Sequence, residues 1–266
     1  MDIGDAILLG IVEGLTELLP VSSTGHLILL GEILGHSGEA AKALDIVIQL
    51  GAVLAVAVYF RARIVELVKG SLRRQTPALR LMGALGLAFA VTAVAGVALS
   101  SPVKKYLFGP VPVGAALIVG GVVMIAVHIW HARRGEGDGL EDVSLRRGLF
   151  IGVCQIASLW PGTSRSMATI VGGQLTGLST RTAAEFSFLL AIPTLGAATV
   201  YDFLKSGHHI LALERGVTLL GVGLLVSFLV TWLVVALFLR YVTLIGLVPF
   251  GIYRLILGTA VLLWAA

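Results

Sequence analysis

The sequence predicts an all-α polytopic membrane protein, built as an inverted-topology repeat with six transmembrane helices and two re-entrant helical hairpins. Three observations carry this expectation. The 266 residues are 57% hydrophobic and only 13% charged, with a mean hydropathy of +0.99, whereas a soluble domain is about 25% charged. Several apolar runs reach the ~20 residues that a bilayer crossing needs. Two further apolar regions are interrupted by proline at matching places.

Six runs read as full spans, at about 43–60, 77–100, 111–131, 180–201, 214–239 and 243–264. The regions at about 1–34 and 148–176 are broken by Pro20 and by Pro161-Gly162. Each break leaves two half-length helices. Lipid cannot satisfy free N–H and C=O groups, so such pieces survive at membrane depth only when buried in protein or lining a wet cavity. Re-entrant hairpins follow from that constraint. Pro193 and Pro249 are expected to kink their helices, and Trp232 and Trp264 to be packing or interface residues.

Aligning IVEGLTELLPVSSTGH with VCQIASLWPGTSRSMA on their prolines matches Pro20 with Pro161 and Ser23 with Ser164. Thr24 then stands at the position of Arg165, and His26 at that of Met167. Further on, ALDIVIQLGAVLAVAVYF resembles AAEFSFLLAIPTLGAATVYDF, with small gaps. Three spans follow each hairpin, an odd number, so the second copy is inverted. The expected units are residues 1–132 and 143–266, joined by the polar, Gly-rich linker 133–142. Paired interruptions in inverted halves point to a central site at the repeat interface.

Basic residues set the expected orientation. Arg61, Arg63, Lys69, Arg73, Arg74 and Arg80 fall between the first two spans, and Arg133, Arg134, Arg146 and Arg147 follow the third; Arg181 and Arg240 share that side. Lys42, Lys104, Lys105, Lys205 and Arg215 make the other side sparser. The heavily basic side is expected to be cytoplasmic. The net charge of +4 is modest and its basic residues lie in short loops, which excludes a nucleic-acid surface. The opening MDIGDAILLGIVEGL has acids in place of a basic leader region and reads as retained structure. The single Cys154 excludes an intramolecular disulfide and a Cys-rich metal site.

The chemistry is concentrated at the breaks. Glu13 and Glu17 are four apart, on one helix face with Cβ atoms roughly 6 Å apart, and each carboxylate costs roughly 2.5–3.5 kcal/mol at a helix centre. A proton, a cation or a basic group must offset that. A divalent cation held by both Glu13 and Glu17 suits that spacing, and hard oxygen ligands favour Mg²⁺ or Ca²⁺. Ser22, Ser23 and Thr24 are N-cap material for the second half-helix, and His26 in its first turn is suited to proton transfer near neutral pH. PGTSRSMAT, residues 161–169, sets Arg165 among hydroxyls and free N–H groups at a helix start, where anions bind. Its planar fork suits phosphate oxygens. Arg254 in the last span is expected to be ion-paired or snorkelling. A cation site, an anion cradle, a hydroxyl and a histidine together describe phosphoryl transfer or hydrolysis on a lipid-linked phosphate. A secondary transporter or lipid flippase is the alternative, because broken helices around a midplane charged site also serve transport.

EGLTELLPVSSTGH, the IQLG at 48–51, PGTSRSMAT and the EFSFLLAIP at 185–193 resemble the undecaprenyl-diphosphate phosphatase, or bacitracin-resistance, family over nearly the whole chain. The resemblance implies a bacterial inner-membrane enzyme that hydrolyses undecaprenyl diphosphate to the monophosphate, recycling the lipid carrier for peptidoglycan and other envelope polymers. It implies a divalent cation, two re-entrant hairpins and a pocket open to the outer side. Carried over by position, it makes Glu13 and Glu17 the acidic pair, Glu17, Ser23, His26 and Arg165 catalytic, and Thr24, Thr163, Ser164, Arg165 and Ser166 substrate-binding. Asp45 stands where the family's pattern implies a glutamate, and its shorter side chain argues against a direct metal role. Ser23, His26 and a positioned water all remain open as the nucleophile. The expected partners are the lipid substrate and membrane lipids, with a homodimer left open.

Overall fold

The computed structural model describes residues 1–35, 39–133 and 137–266, without the side chains of residues 39–42, 100–101 and 104–105. Arg134, the middle of the expected linker, and the side chains of Lys42, Lys104 and Lys105 therefore lie outside the described residues. The described residues form helices, with one isolated parallel bridge between Asp138 and Leu178.

The order is α1 (Ile3–Thr16), α2 (Ser23–Ile33), α3 (Glu39–Tyr59), α4 (Arg61–Leu72), α5 (Thr76–Tyr106), α6 (Pro110–Ala132), α7 (Leu145–Ile156), α8 (Arg165–Leu175), α9 (Thr180–Leu211), α10 (Gly216–Ile245) and α11 (Val248–Trp264). Local chemistry explains the starts. Asp2 and Asp5 form a capping box on α1, and the hydroxyls of Ser144 and Ser179 cap α7 and α9. Prolines open α5, α6 and α11, where a missing N–H is harmless.

By length and composition four helices can cross a membrane: Thr76–Leu99 within α5, α6, α9 and α10. The pair Ala43–Tyr59 and Arg61–Leu72, bent by 68°, makes up to five. At 17 residues, α11 is apolar but shorter. Val94, Val97, Leu204, Val217, Leu244 and Leu263 are among many large apolar side chains left exposed, as expected where the surrounding solvent is lipid. The chain is a multi-pass membrane protein.

Three expectations are corrected. Residues 61–72, read as loop, form the helix α4. The fifth run does not stop at 239 but continues to Ile245 and turns at Gly246, where φ is +63°. Pro249 consequently begins α11 and does not kink it.

Packing places the breaks inside the protein. α1 packs on α10, α10 on α3, α3 on α9, α5 on α7, and α6 on α11. At Gly51 the approach is close enough that an added Cβ would lie 2.4 Å from the carbonyl oxygen of Leu224, so only hydrogen fits there. Between α5 and α7, Gln155 Nε2 donates to Thr92 Oγ1 at 2.7 Å, and that hydroxyl reaches Gly152 O at 3.2 Å. α8 is the most enclosed element: each residue from Arg165 to Gln174 is buried, among α6, α7 and α9. On α2 only Ser23, Gly25 and Leu27 are buried.

Candidate functional site

Both breaks end in the same device. Ser22 and Ser164 each adopt a left-handed backbone, with φ of +74° and +71°, and each caps the following half-helix with its hydroxyl. Ser22 Oγ accepts from Gly25 N at 3.4 Å, and Ser164 Oγ accepts from Met167 N at 3.3 Å. Matching the helices cap to cap places Ser22 opposite Ser164, one residue off the proline alignment, because PGTS is one longer than PVS. Ser23 and Arg165 then become equivalents, each the first residue of its half-helix.

Those two residues meet on one carboxylate. Ser23 Oγ donates a short hydrogen bond to Glu17 Oε2. Arg165 Nη2 donates to Glu17 Oε1 at 3.2 Å, a buried ion pair. Gln49 Nε2 on α3 adds a third donor to Oε2 at 3.1 Å, and Thr199 Oγ1 holds Gln49 Oε1 at 3.4 Å. Arg165 is aimed by Ser187 on α9, whose carbonyl accepts from Nη1 at 3.1 Å. Thr169 Oγ1 in turn bonds Ser187 Oγ at 2.7 Å. Arg165 Nε is buried with no hydrogen-bond partner. That leaves the Nε–H available for another acceptor.

Glu13 is different. It is fully buried, and neither of its oxygens has a hydrogen-bond partner; Asp45 Oδ1 is likewise buried and unpartnered. Glu13 lies within electrostatic reach of Glu17, Asp45 and Arg165. Open carboxylate oxygens away from water fit a hard cation, and a Mg²⁺-like ion needs only one or two carboxylates when phosphate and water complete its shell. No cluster of three or more His, Cys, Asp or Glu side chains suited to a metal occurs among the described residues.

His26 is not aimed at Ser23. Its Nδ1 lies 2.7 Å from Ser22 O, and its Nε2 lies 2.6 Å from Tyr253 Oη on α11, with the two rings parallel. A carbonyl only accepts, so Nδ1 carries a proton, and in the neutral ring Nε2 accepts from the tyrosine hydroxyl. The group touching Ser23 Oγ is Glu17. Thr24 is exposed, while Thr163, Ser164 and Ser166 are buried. Ser166 Oγ donates to Leu19 O at 2.8 Å and pairs with Ser164 Oγ at 3.0 Å, tying the second break to the first. Arg254, expected to pair or snorkel, does neither: it is fully buried and donates to backbone carbonyls.

Sequence reasoning gave no role to Gln49, Ser187 or Tyr253. Gln49 and Ser187 do lie within the motifs IQLG and EFSFLLAIP. Gln49 also stands one helical turn after Asp45, the spacing by which Glu13 precedes Glu17.

Fold and site together define a multi-pass membrane protein with a buried acid–hydroxyl–arginine centre between two broken helices. The chain belongs to the bacitracin resistance protein BacA family, whose model matches residues 6–260. It is 61% identical to an undecaprenyl-diphosphatase of Sorangium cellulosum, over 98% of this chain and 85% of that protein. Similarity to undecaprenyl-diphosphatases of Persephonella marina, at 45% identity over 99% of both chains, and of Thermoanaerobacter sp. strain X514, at 43% over 98% and 96%, spans nearly full length.

Proposed function

We propose that this protein hydrolyses undecaprenyl diphosphate to undecaprenyl phosphate and inorganic phosphate, returning the lipid carrier to envelope polymer synthesis. One observation carries the reading: the first residues of two half-helices, Ser23 and Arg165, converge on Glu17. That arrangement joins a hydroxyl, a base and an anion-binding fork, as attack on phosphorus requires.

Ser23 already gives its hydroxyl hydrogen to Glu17, so as a nucleophile attacks the terminal phosphorus its proton passes to the Glu17 carboxylate. The nucleophile is Ser23 itself or a water that Ser23 orients. The bond from phosphorus to the bridging oxygen breaks, and that oxygen leaves on undecaprenyl phosphate; if Ser23 attacked, a water then cleaves the phosphoserine, its proton passing to Glu17, and inorganic phosphate leaves as the Ser23 hydroxyl is restored. Arg165, with Nε free and a planar fork, holds the terminal phosphate, and the N–H groups opening α8 favour its negative charge. An arriving phosphate competes with Glu17 for the guanidinium, which frees the carboxylate to accept a proton. Glu13, with Asp45 near it, would hold the divalent cation, Mg²⁺ or Ca²⁺, which when bound offsets phosphate charge. Placing the cation at Glu13 and Asp45 departs from the paired role first expected for Glu17 and from the reading that set Asp45 aside as a ligand; the support for it is the buried, unpartnered Oδ1 of Asp45.

The finer membrane arrangement belongs to the same reading. Six crossings and two hairpins that enter from opposite faces are supported by the two breaks, by the burial of α8, and by paired packing in which α1 lies on α10 as α7 lies on α5. The basic side is taken as cytoplasmic, in a bacterial inner membrane, with the pocket open outward. A transporter or flippase has less use for a hydroxyl bonded to a carboxylate, and the family match does not favour it.

The test is phosphate release from undecaprenyl diphosphate by purified protein in detergent, with Mg²⁺, with Ca²⁺ and with chelator, beside Glu17→Gln. Cation-dependent release that vanishes in the variant is the expected result. A folded protein that releases no phosphate under any cation would overturn the proposal.

A further inference from the structure

Arg254 is the largest fully buried side chain among the described residues. Its guanidinium spends its donors on four backbone carbonyls from three segments. Nε donates to Leu117 O at 3.3 Å and Nη2 to Ala116 O at 3.1 Å, both on α6. Nη1 donates to Pro20 O at 3.2 Å, and Nη2 donates also to Gly162 O at 3.0 Å. The last two carbonyls sit in the two breaks. There the helical ladder is interrupted, and an unpartnered carbonyl away from water costs free energy.

We infer that Arg254 is a positioning residue that clamps the two breaks together and so sets the distance between the groups they carry. Pro20 lies three residues after Glu17 and three before Ser23, and Gly162 lies three before Arg165. One planar group therefore fixes the turns that deliver base, hydroxyl and anion fork. Lysine cannot replace it, because a single ammonium lacks the breadth to span three segments. The neighbouring Tyr253 bonds His26 from the same helix, so α11 braces both hairpins although it contributes no group to Glu17. The consequence for turnover rests on the phosphatase reading; the clamp itself does not.

A glycine supplies a test that leaves the arginine in place. A Cβ at Gly120 on α6 would lie 2.2 Å from Arg254 Nη2 and 2.9 Å from Met167 Cε. Both are ends of flexible side chains, so Gly120→Ala moves the guanidinium without forcing backbone apart. At Gly86 on α5 a Cβ meets nothing within 4 Å, and Gly86→Ala is the control. The experiment compares wild type, Gly120→Ala, Arg254→Lys and Gly86→Ala in detergent, by steady-state phosphate release and by amide hydrogen exchange without substrate.

A misplacement near 1 Å costs about a hundredfold, so kcat is expected to fall about that much in Gly120→Ala and Arg254→Lys. KM should stay within about threefold, because the loss is of alignment and not of binding. Exchange at 17–24 and 160–166 should rise in both, while Gly86→Ala matches wild type. Unchanged kcat and unchanged exchange in Gly120→Ala would overturn the proposal, as would a raised KM at wild-type kcat, the mark of direct substrate contact. Should Arg254→Lys fail to fold, Gly120→Ala decides alone. An inactive wild type would sink the phosphatase reading, while the exchange arm still tests the clamp.

Discussion

Glu17 and Glu13 illustrate how two carboxylates one turn apart acquire different work. Glu17 receives Ser23, Gln49 and Arg165, so its burial is compensated by three donors. Glu13 receives none. Glu17→Gln keeps an acceptor oxygen but cannot take a proton, and phosphate release should fall by about 10²–10⁴, the usual worth of a positioned base. Ser23→Ala combined with Glu17→Gln should lose little more than the worse single variant, because the two act as a unit; additive losses would separate them. Glu13→Gln should instead shift the cation concentration needed for half activity, read by titrating Mg²⁺ or Ca²⁺. The sequence exposed both acids, since charge inside an apolar run is conspicuous. It could not tell one from the other, because two of the three donors that distinguish them come from positions 32 and 148 residues away. Gln49, Ser187 and Tyr253 were hidden for a related reason: a neutral side chain needs a hydrogen-bond partner but no counter-charge, and nothing in its own segment shows which distant group supplies it. His26, expected to be catalytic, bonds Ser22 O and Tyr253 Oη, and that tyrosine lies 227 residues away in sequence.

The half-helices depend on their first turns. Ser22 and Ser164 combine a backbone conformation that favours glycine with a hydroxyl that glycine lacks. Ser164→Ala should therefore destabilise the protein by about 1–2 kcal/mol, and Ser164→Gly by only a few tenths. Thermal unfolding in detergent checks the order; equal losses would assign the serine's value to its bond with Ser166 and not to the cap. The breaks themselves were legible, because proline cannot continue a helix and the flanking apolar runs are too short to span. α4 was not. Five basic residues in fourteen positions, 61–74, look like a solvated loop, yet Val65, Val68 and Leu72 recur at helical spacing and carry that stretch as an amphipathic helix at the bend after α3. The end of α10 was missed for the same physical reason: Arg240 reads as a stop, but its guanidinium lies 5.4 Å from the Tyr241 ring centroid and the helix runs on beneath it.

Across the whole molecule, segments far apart in sequence gather their basic residues at one end. Arg63 on α4 approaches Glu141 at 3.8 Å, Arg147 pairs with Asp138, and Asp138 shares backbone bonds with Gly177 and Ser179 beside Arg181. Arg73 and Arg74 lie on or just past the same short helix as Arg63. Ion pairs and backbone bonds thus join α4, the described part of the linker and the start of α9. Basic residues of that kind set orientation, and the orientation proposed above has α4 and residues 137–147 facing the cytoplasm and the α9–α10 turn, with Lys205 and Arg215 near it, facing outward. Cys154 is the only cysteine, so Cys154→Ala gives a clean background for single-cysteine labelling. With a membrane-impermeant maleimide, Lys205→Cys should react in intact cells, whereas Arg73→Cys should react only in inverted membrane vesicles. Both positions are exposed and carry a charged residue in the native sequence, which favours water over lipid around them. The reverse pattern would turn the molecule over, moving the first hairpin's entry to the cytoplasm and the substrate's phosphates with it. Labelling of both from one side would mean an odd number of crossings lost between them, and with it the opposed hairpins on which the two-sided construction of the site depends.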